Sequence, residues 1–189
     1  PFTCQTELYK SPAGASRPKG VDVDSNGVVW VAFGTSGNIA NFDRRKCKVL
    51  NGPTATGNHC PEGWTVYRTP GPALKGTDNI NGDYHYLDWV DRFDTLGLGK
   101  NVLMTNGSNS DSVVALLPDN KQVVVLRVPY PLGFDSRGVD GRIDDPNGGW
   151  KGKGMWSTYA SAAPWNVEGG KGTISKAVKF QMRPNPLAR

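Results

Sequence analysis

The chain has 189 residues, enough for one ordinary domain with a real core and too few for two large ones. Its 24 Gly and 14 Pro, set among 37% hydrophobic and 21% charged residues, interrupt the chain too often for long helices and point to an all-β fold. The net charge of +5 is mild and dispersed outside Arg44, Arg45, Lys46 and Lys48, with no aromatics interleaved in that basic run, which argues against a nucleic-acid partner; no stretch approaches the roughly 20 apolar residues of a membrane span.

Taken in chain order, Pro1 stands where a Met would start a complete reading frame, so removal of a signal peptide or a larger precursor segment is expected upstream. The stretch TELYKSP resembles TVYRTPGP at Thr65 to Pro72. Residues 1–16 therefore read as the outer strand of an adjacent blade, or as a closing strand. GVDVD, VVWVAF, GNIANFD and WTVYRTP then follow with turns at Ser25-Asn26-Gly27 and Thr35-Ser36-Gly37, which predicts a four-stranded antiparallel meander within 17–80. A second set, YHYLDWVD, NVLMTNGS, DSVVALLP and QVVVLRVP, fills 81–133, with Pro118-Asp119-Asn120 as its last hairpin. A third, RGVDGRID, GMWSTYA and KAVKFQMRP, occupies 134–189 without a clear fourth strand.

Four-stranded blocks of about 50 residues are the signature of propeller blades. A single β-sandwich is the alternative. Against it stands the match of Gly20-Val21-Asp22 with Gly138-Val139-Asp140, each followed by a turn and a Trp-bearing strand at Trp30 and Trp156. Propellers close with typically 4–8 blades. Three blades predict a C-terminal portion of a larger propeller, or a chain whose ring is completed by remaining blades or another protein subunit.

Cys47 and Cys60 bracket a Gly-, Pro- and Asn-rich loop, where a disulfide would contribute about 3 kcal/mol and indicate a periplasmic or extracellular location. Cys4 is then left over, with a partner in another chain or in missing sequence, or as a free thiol. A zinc site from Cys4, Cys47, His59 and Cys60 lacks the usual paired spacing, and no C-x-x-C-H is present, so no covalent haem is expected.

The phrase GVDVDSNGVVWVAFGTSGNIANFD, through Gly20, Asp24, Gly27, Trp30, Ile39, Phe42 and Asp43, resembles the blade repeat of the streptogramin (virginiamycin B) lyase-like propellers. The resemblance is good over 17–43, fair over 137–182 and thin over 81–133. It implies a divalent metal and a His base at the centre of one propeller face. The sequence departs from that pattern where the lyase blades continue their Trp strand into Thr-Glu: Trp30 is followed by Val31-Ala32-Phe33, and Trp156 by Ser157-Thr158-Tyr159. Neither His59 nor His85 sits in a His-x-Glu pair, so no catalytic residue carries across and the resemblance speaks to fold.

Candidate chemistry lies in four places. DVDSNG at Asp22 to Gly27 matches half a calcium loop, but Phe33 stands where the bidentate Glu belongs, so a hairpin turn is expected. DYHYLDWVDRFD gathers His85, Asp88, Asp91 and Arg92 among aromatics; strand alternation would put His85, Leu87, Trp89 and Asp91 on one face, as an acid/base or metal pair or as a structural network. Arg137 and Asp140 fall where innermost strands line a central channel, to bind a ligand or to neutralise one another. Trp156, Tyr159, Trp165 and Glu168 lie in a Gly- and Pro-rich setting suited to a ligand, a protein partner or blade packing. Asn106-Gly107-Ser108 is a formal glycosylation sequence. The reading is a binding or scaffolding module within a larger protein or complex, with a metal-assisted lyase as the alternative.

Overall fold

The computed structural model describes residues 6–50, 57–77, 80–129, 134, 136–159, 176–185 and 187. Among them, three antiparallel sheets account for all the strands. The first runs β1 (Pro18–Val23), β2 (Val29–Phe33), β3 (Asn38–Phe42) and β4 (Trp64–Arg68) in that spatial order. The second is β5 (Asp88–Asp91), β6 (Val102–Gly107), β7 (Ser112–Leu116) and β8 (Val123–Arg127). The third holds β9 (Val139–Ile143), β10 (Lys153–Tyr159) and β11 (Lys176–Phe180), with β10 in the middle.

The turns form for the expected local reasons. Asp24 Oδ1 accepts from the amides of Asn26 at 2.8 Å and Val28 at 3.0 Å, and Trp30 Nε1 donates to Asp24 Oδ2 at 3.3 Å. DVDSNG is thus a carboxylate-capped hairpin. Residues 84–87, expected to open the first strand of the second blade, lie outside it. The Asn106 side chain takes the Tyr86 amide at 2.8 Å and its backbone carbonyl takes His85, so the ladder begins only at Asp88.

Residues 6–12 also form no strand. Tyr9 packs on Phe42 and His59, with ring centres 4.4 and 4.7 Å apart, and Glu7 pairs with Arg44 at 2.6 Å. This segment lies along the outer hairpin of the first sheet. The Cys47–Cys60 disulfide is present across that hairpin; Cys4 falls outside the described residues.

Alternation along each strand divides the sheets into faces. Trp30, Ile39 and Tyr67 of the first sheet meet Val90, Leu103, Leu116 and Val123 of the second. The second sheet's opposite face, with Trp89, Met104 and Ala115, meets Val139, Met155, Val178 and Phe180 of the third. The innermost strands β1, β5 and β9 run beside one another, as in stacked propeller blades. The spacing there is close: a Cβ on Gly20 would lie 2.5 Å from the Asp88 amide nitrogen, and one on Gly141 would lie 2.0 Å from the Trp89 indole.

The outer faces of the stack are covered only in part: Ala15 of the N-terminal segment packs with Val31, Phe33 and Ala40 of the first sheet. Val21, Val31, Ala40 and Val66 align across the first sheet, and Val21 is 64% exposed. The third sheet turns Asp140, Trp156 and Lys179 outward in one cross-strand row.

Gly141→Ala is expected to cost about 1–3 kcal/mol through overpacking against Trp89, seen as a lower urea midpoint. Combining it with Trp89→Leu should give less than the sum of the two single losses, because the clash is shared.

Candidate functional site

Residues at the leading ends of the innermost strands converge: Lys19 lies within β1, and Tyr86 and Arg137 lie two residues ahead of β5 and β9. Lys19 precedes Gly20, Tyr86 precedes Leu87 and Arg137 precedes Gly138, one from each sheet. The Arg137 guanidinium carbon lies 4.8 Å from the Tyr86 ring centre and Lys19 Nζ 5.8 Å, within cation–π range. The Lys19 stem runs over Gly34, where a Cβ would come within 3.1 Å of it. Neither cation has a carboxylate partner among the described residues, and Tyr84 and Leu87 stand exposed nearby. The result is a cationic, aromatic mouth at one end of the inner strands. Arg137 and Asp140 do not neutralise each other as expected: Arg137 stacks on Tyr86, while Asp140 accepts from Gly141 N at 2.9 Å.

Behind the mouth, His85 is fully buried. Its Nδ1 lies 2.6 Å from the Asn106 carbonyl, which can only accept, so Nδ1 carries a proton. Its Nε2 lies 2.8 Å from Thr69 Oγ1. Burial pushes the His85 pKa down, partly offset by the Asn106 carbonyl and the Asp83 charge. Neutral His85 must therefore draw the Thr69 hydroxyl proton, which the Gly37 carbonyl at 2.9 Å also attracts. Asn81 Nδ2 donates to the same hydroxyl at 2.8 Å, and Asp83 accepts from Ser110 Oγ at 2.8 Å and Asn109 N at 2.9 Å. This network ties the first blade to the second. The expected meeting of His85 with Asp91 does not occur, because Asp91 is capped by the amides of Thr95 and Leu96 at 2.8 and 2.9 Å. Asn106, buried and hydrogen-bonded, presents no glycosylation site in the folded chain.

Asp88 differs from every other carboxylate described. It is buried, and neither oxygen has a hydrogen-bond partner. Burial raises its pKa well above the ordinary value; neighbouring Thr105 opposes the shift and the Asp22 charge adds to it. The Thr105 hydroxyl already donates to the Leu87 carbonyl at 3.0 Å, so it is free to accept from a protonated Asp88 rather than to serve an ionised one.

Arg92 lies at the blade junction, paired with Asp22 and donating from Nε to the Val23 carbonyl at 2.7 Å. Trp156 is half-exposed on β10. Tyr159 ends that strand, and Trp165 and Glu168 lie outside the described residues. No three His, Cys, Asp or Glu side chains converge among the described residues, both His85 nitrogens are engaged, and the Cys47 and Cys60 sulfurs are bonded to each other. These residues do not by themselves fit the metal that the lyase resemblance implies, nor the zinc set. Lys19 was not legible as a site residue from the sequence; its signal is its place just before Gly20, as Arg137 stands just before Gly138.

No protein-family model matches the chain, and no curated protein matches it by sequence. Solved structures do match. A streptogramin B lyase aligns with a TM-score of 0.52 and 14% identity, over 96% of this chain and 45% of that one. Selenomethionine-substituted virginiamycin B lyase from Staphylococcus aureus aligns at 0.51 and 15% identity, over 96% and 46%. The fold is that of the lyase-like β-propellers. A catalytically inactive variant of the S. aureus enzyme, with quinupristin, aligns at 0.50 and 15% identity over the same shares. The present chain thus spans less than half the length of the lyase-like propellers it matches, and identity this low speaks to fold alone.

Because folded Asp88 holds its proton more tightly than the unfolded chain does, its contribution is fully present below the ordinary aspartate range. It is lost as pH rises through the raised value. Asp88→Asn, neutral throughout, is expected to flatten the thermal-unfolding profile as pH rises from the ordinary aspartate range through the raised value. Above it the variant should gain about 1–2 kcal/mol. Thermal melts of both proteins across that range check this.

Proposed function

We propose that the chain is one arc of a larger secreted or periplasmic β-propeller, working as a binding or scaffolding module within a larger protein or complex. The observation that carries this is the part of the first sheet's outer face that the N-terminal segment leaves bare. Val21, Val23 and Val66 there are 64%, 41% and 40% exposed, although Val31, Phe33 and Ala40 of the same face are buried with Ala15, whereas both internal junctions are sealed. An uncovered sheet face of this kind calls for a neighbour. Proportion supports the same reading: three sheets spanning 45% of a lyase chain correspond to a ring of roughly seven blades, inside the usual range. The disulfide suits an oxidising compartment, and no described helix is long and apolar enough to cross a membrane.

In such a ring the mouth formed by Lys19, Tyr86 and Arg137 faces the central channel and suits an anionic or aromatic ligand. A metal-assisted lyase is the second reading, favoured by the activity named for the structural neighbours. Its catalytic and metal-binding groups would then come largely from blades outside this chain.

Native mass spectrometry of the protein from its source, before and after denaturation, tests the proposal. A longer chain or a stoichiometric partner is expected. A lone monomer of 20.4 kDa that remains folded would overturn it.

A further inference from the structure

The sealed junctions follow one rule, and the third sheet repeats its terms. Asp22 follows Gly20-Val21, sits opposite Trp30 on β2, and accepts from its own neighbour, Val23 N, at 2.7 Å. Its second oxygen accepts from Val90 N of the next sheet at 2.7 Å, and Arg92 of that sheet closes on the same carboxylate. At the second junction Trp89 holds the matching place, and it contacts Gly141, which holds the place of Val90 in the third sheet. The residue at this position on one blade therefore docks on a fixed position of the next.

On the third sheet, Asp140 follows Gly138-Val139, sits opposite Trp156 on β10, and accepts from its own neighbour Gly141 N. Its second oxygen has no partner among the described residues. Trp156 is 38% exposed where Trp30 is 2%. The cations around Asp140 are committed elsewhere: Arg142 and Lys179 both pair with Asp144, and Lys179 also lies 5.9 Å from the Trp156 ring centre.

We infer that this face docks a further propeller blade whose innermost strand offers a backbone N–H to Asp140 and, two residues later, an arginine to the same carboxylate. The inference rests on reading the chain as an arc of a larger ring. Charge decides the occupant, because covering Asp140 without a cation would bury an unpaired carboxylate. The first sheet of a second copy does not meet the requirement: Val23 and Ser25 stand where the second sheet has Val90 and Arg92. The occupant is a different blade, with a Val-x-Arg type pattern on its inner strand. Trp156, singled out as a ligand-binding candidate, becomes the floor of this junction, as Trp30 is of the first.

Carboxylate labelling with a water-soluble carbodiimide and glycine ethyl ester, read residue by residue by mass spectrometry, tests this on the native assembly and on the urea-denatured protein. Asp22 serves as the covered reference and Asp119, in an exposed turn, as the open one. In the native assembly Asp140 is expected to label like Asp22 and not like Asp119, and after urea denaturation all three are expected to label alike. Asp140→Ala is expected to weaken assembly about tenfold or more, while Asp119→Ala leaves it unchanged. Labelling of Asp140 at the Asp119 rate within the assembly overturns the inference and leaves the larger-ring reading intact. Protection within an assembly of two copies alone also overturns it, since that occupant lacks the arginine. A native mass showing a single folded chain overturns the larger-ring reading itself.

Discussion

How closely the innermost strands can approach one another sets the rest of the structure. At Gly20 and Gly141 a single added carbon would meet the backbone or indole of the neighbouring sheet. Two adjacent sheets therefore come together at their inner edges, and their side chains fill the widening space outward. Trp30, Ile39 and Tyr67 fill it at one junction, Trp89, Met104 and Phe180 at the next. The wedge shape of a blade follows from this taper. On the outer face of the first sheet, Ala15 of the N-terminal segment packs on Val31, Phe33 and Ala40 instead, and Val21 stays exposed.

Polar groups are buried at these junctions because the inner strands bring loops together as well as sheets. His85, Thr69, Asn81 and Asp83 satisfy one another around the Gly37 and Asn106 carbonyls, so their burial costs little. Asp88 stands apart: as a carboxylate it finds no hydrogen-bond partner among the described residues, and only when protonated could it donate to the neighbouring Thr105 hydroxyl. Its burial is thereby tied to pH, beside the inter-blade ion pair of Asp22 and Arg92.

Much of the fold was legible in the sequence because turn chemistry and two-residue alternation are local. Asp24, Asn26 and Gly27 mark their hairpin without reference to anything distant, and the Gly-Val-Asp phrases mark two inner strands. The disulfide was readable from the loop it closes. What local patterns do not encode is competition from elsewhere in the chain. His85 and Asp91 alternate correctly for a shared strand face, yet Asn106, some twenty residues away, captures the chain before the strand begins. Likewise Asp22 reads as part of a hairpin turn, and nothing local points to its partner 70 residues on, Arg92. The convergence of Lys19, Tyr86 and Arg137 is a product of blade stacking and has no signal within any one segment.

The two outward faces of the stack are unlike: aligned valines on one side, an aspartate and a tryptophan on the other. Contacts made through two unlike faces are heterologous rather than two-fold. In the larger ring proposed above, further blades would follow in the same sense, and what would separate a finished ring from an open array is whether the successive rotations add up to a full turn. A substitution that changed the taper at Gly20 or Gly141 would thus act on closure itself, altering how many blades fit or whether the array ends at all.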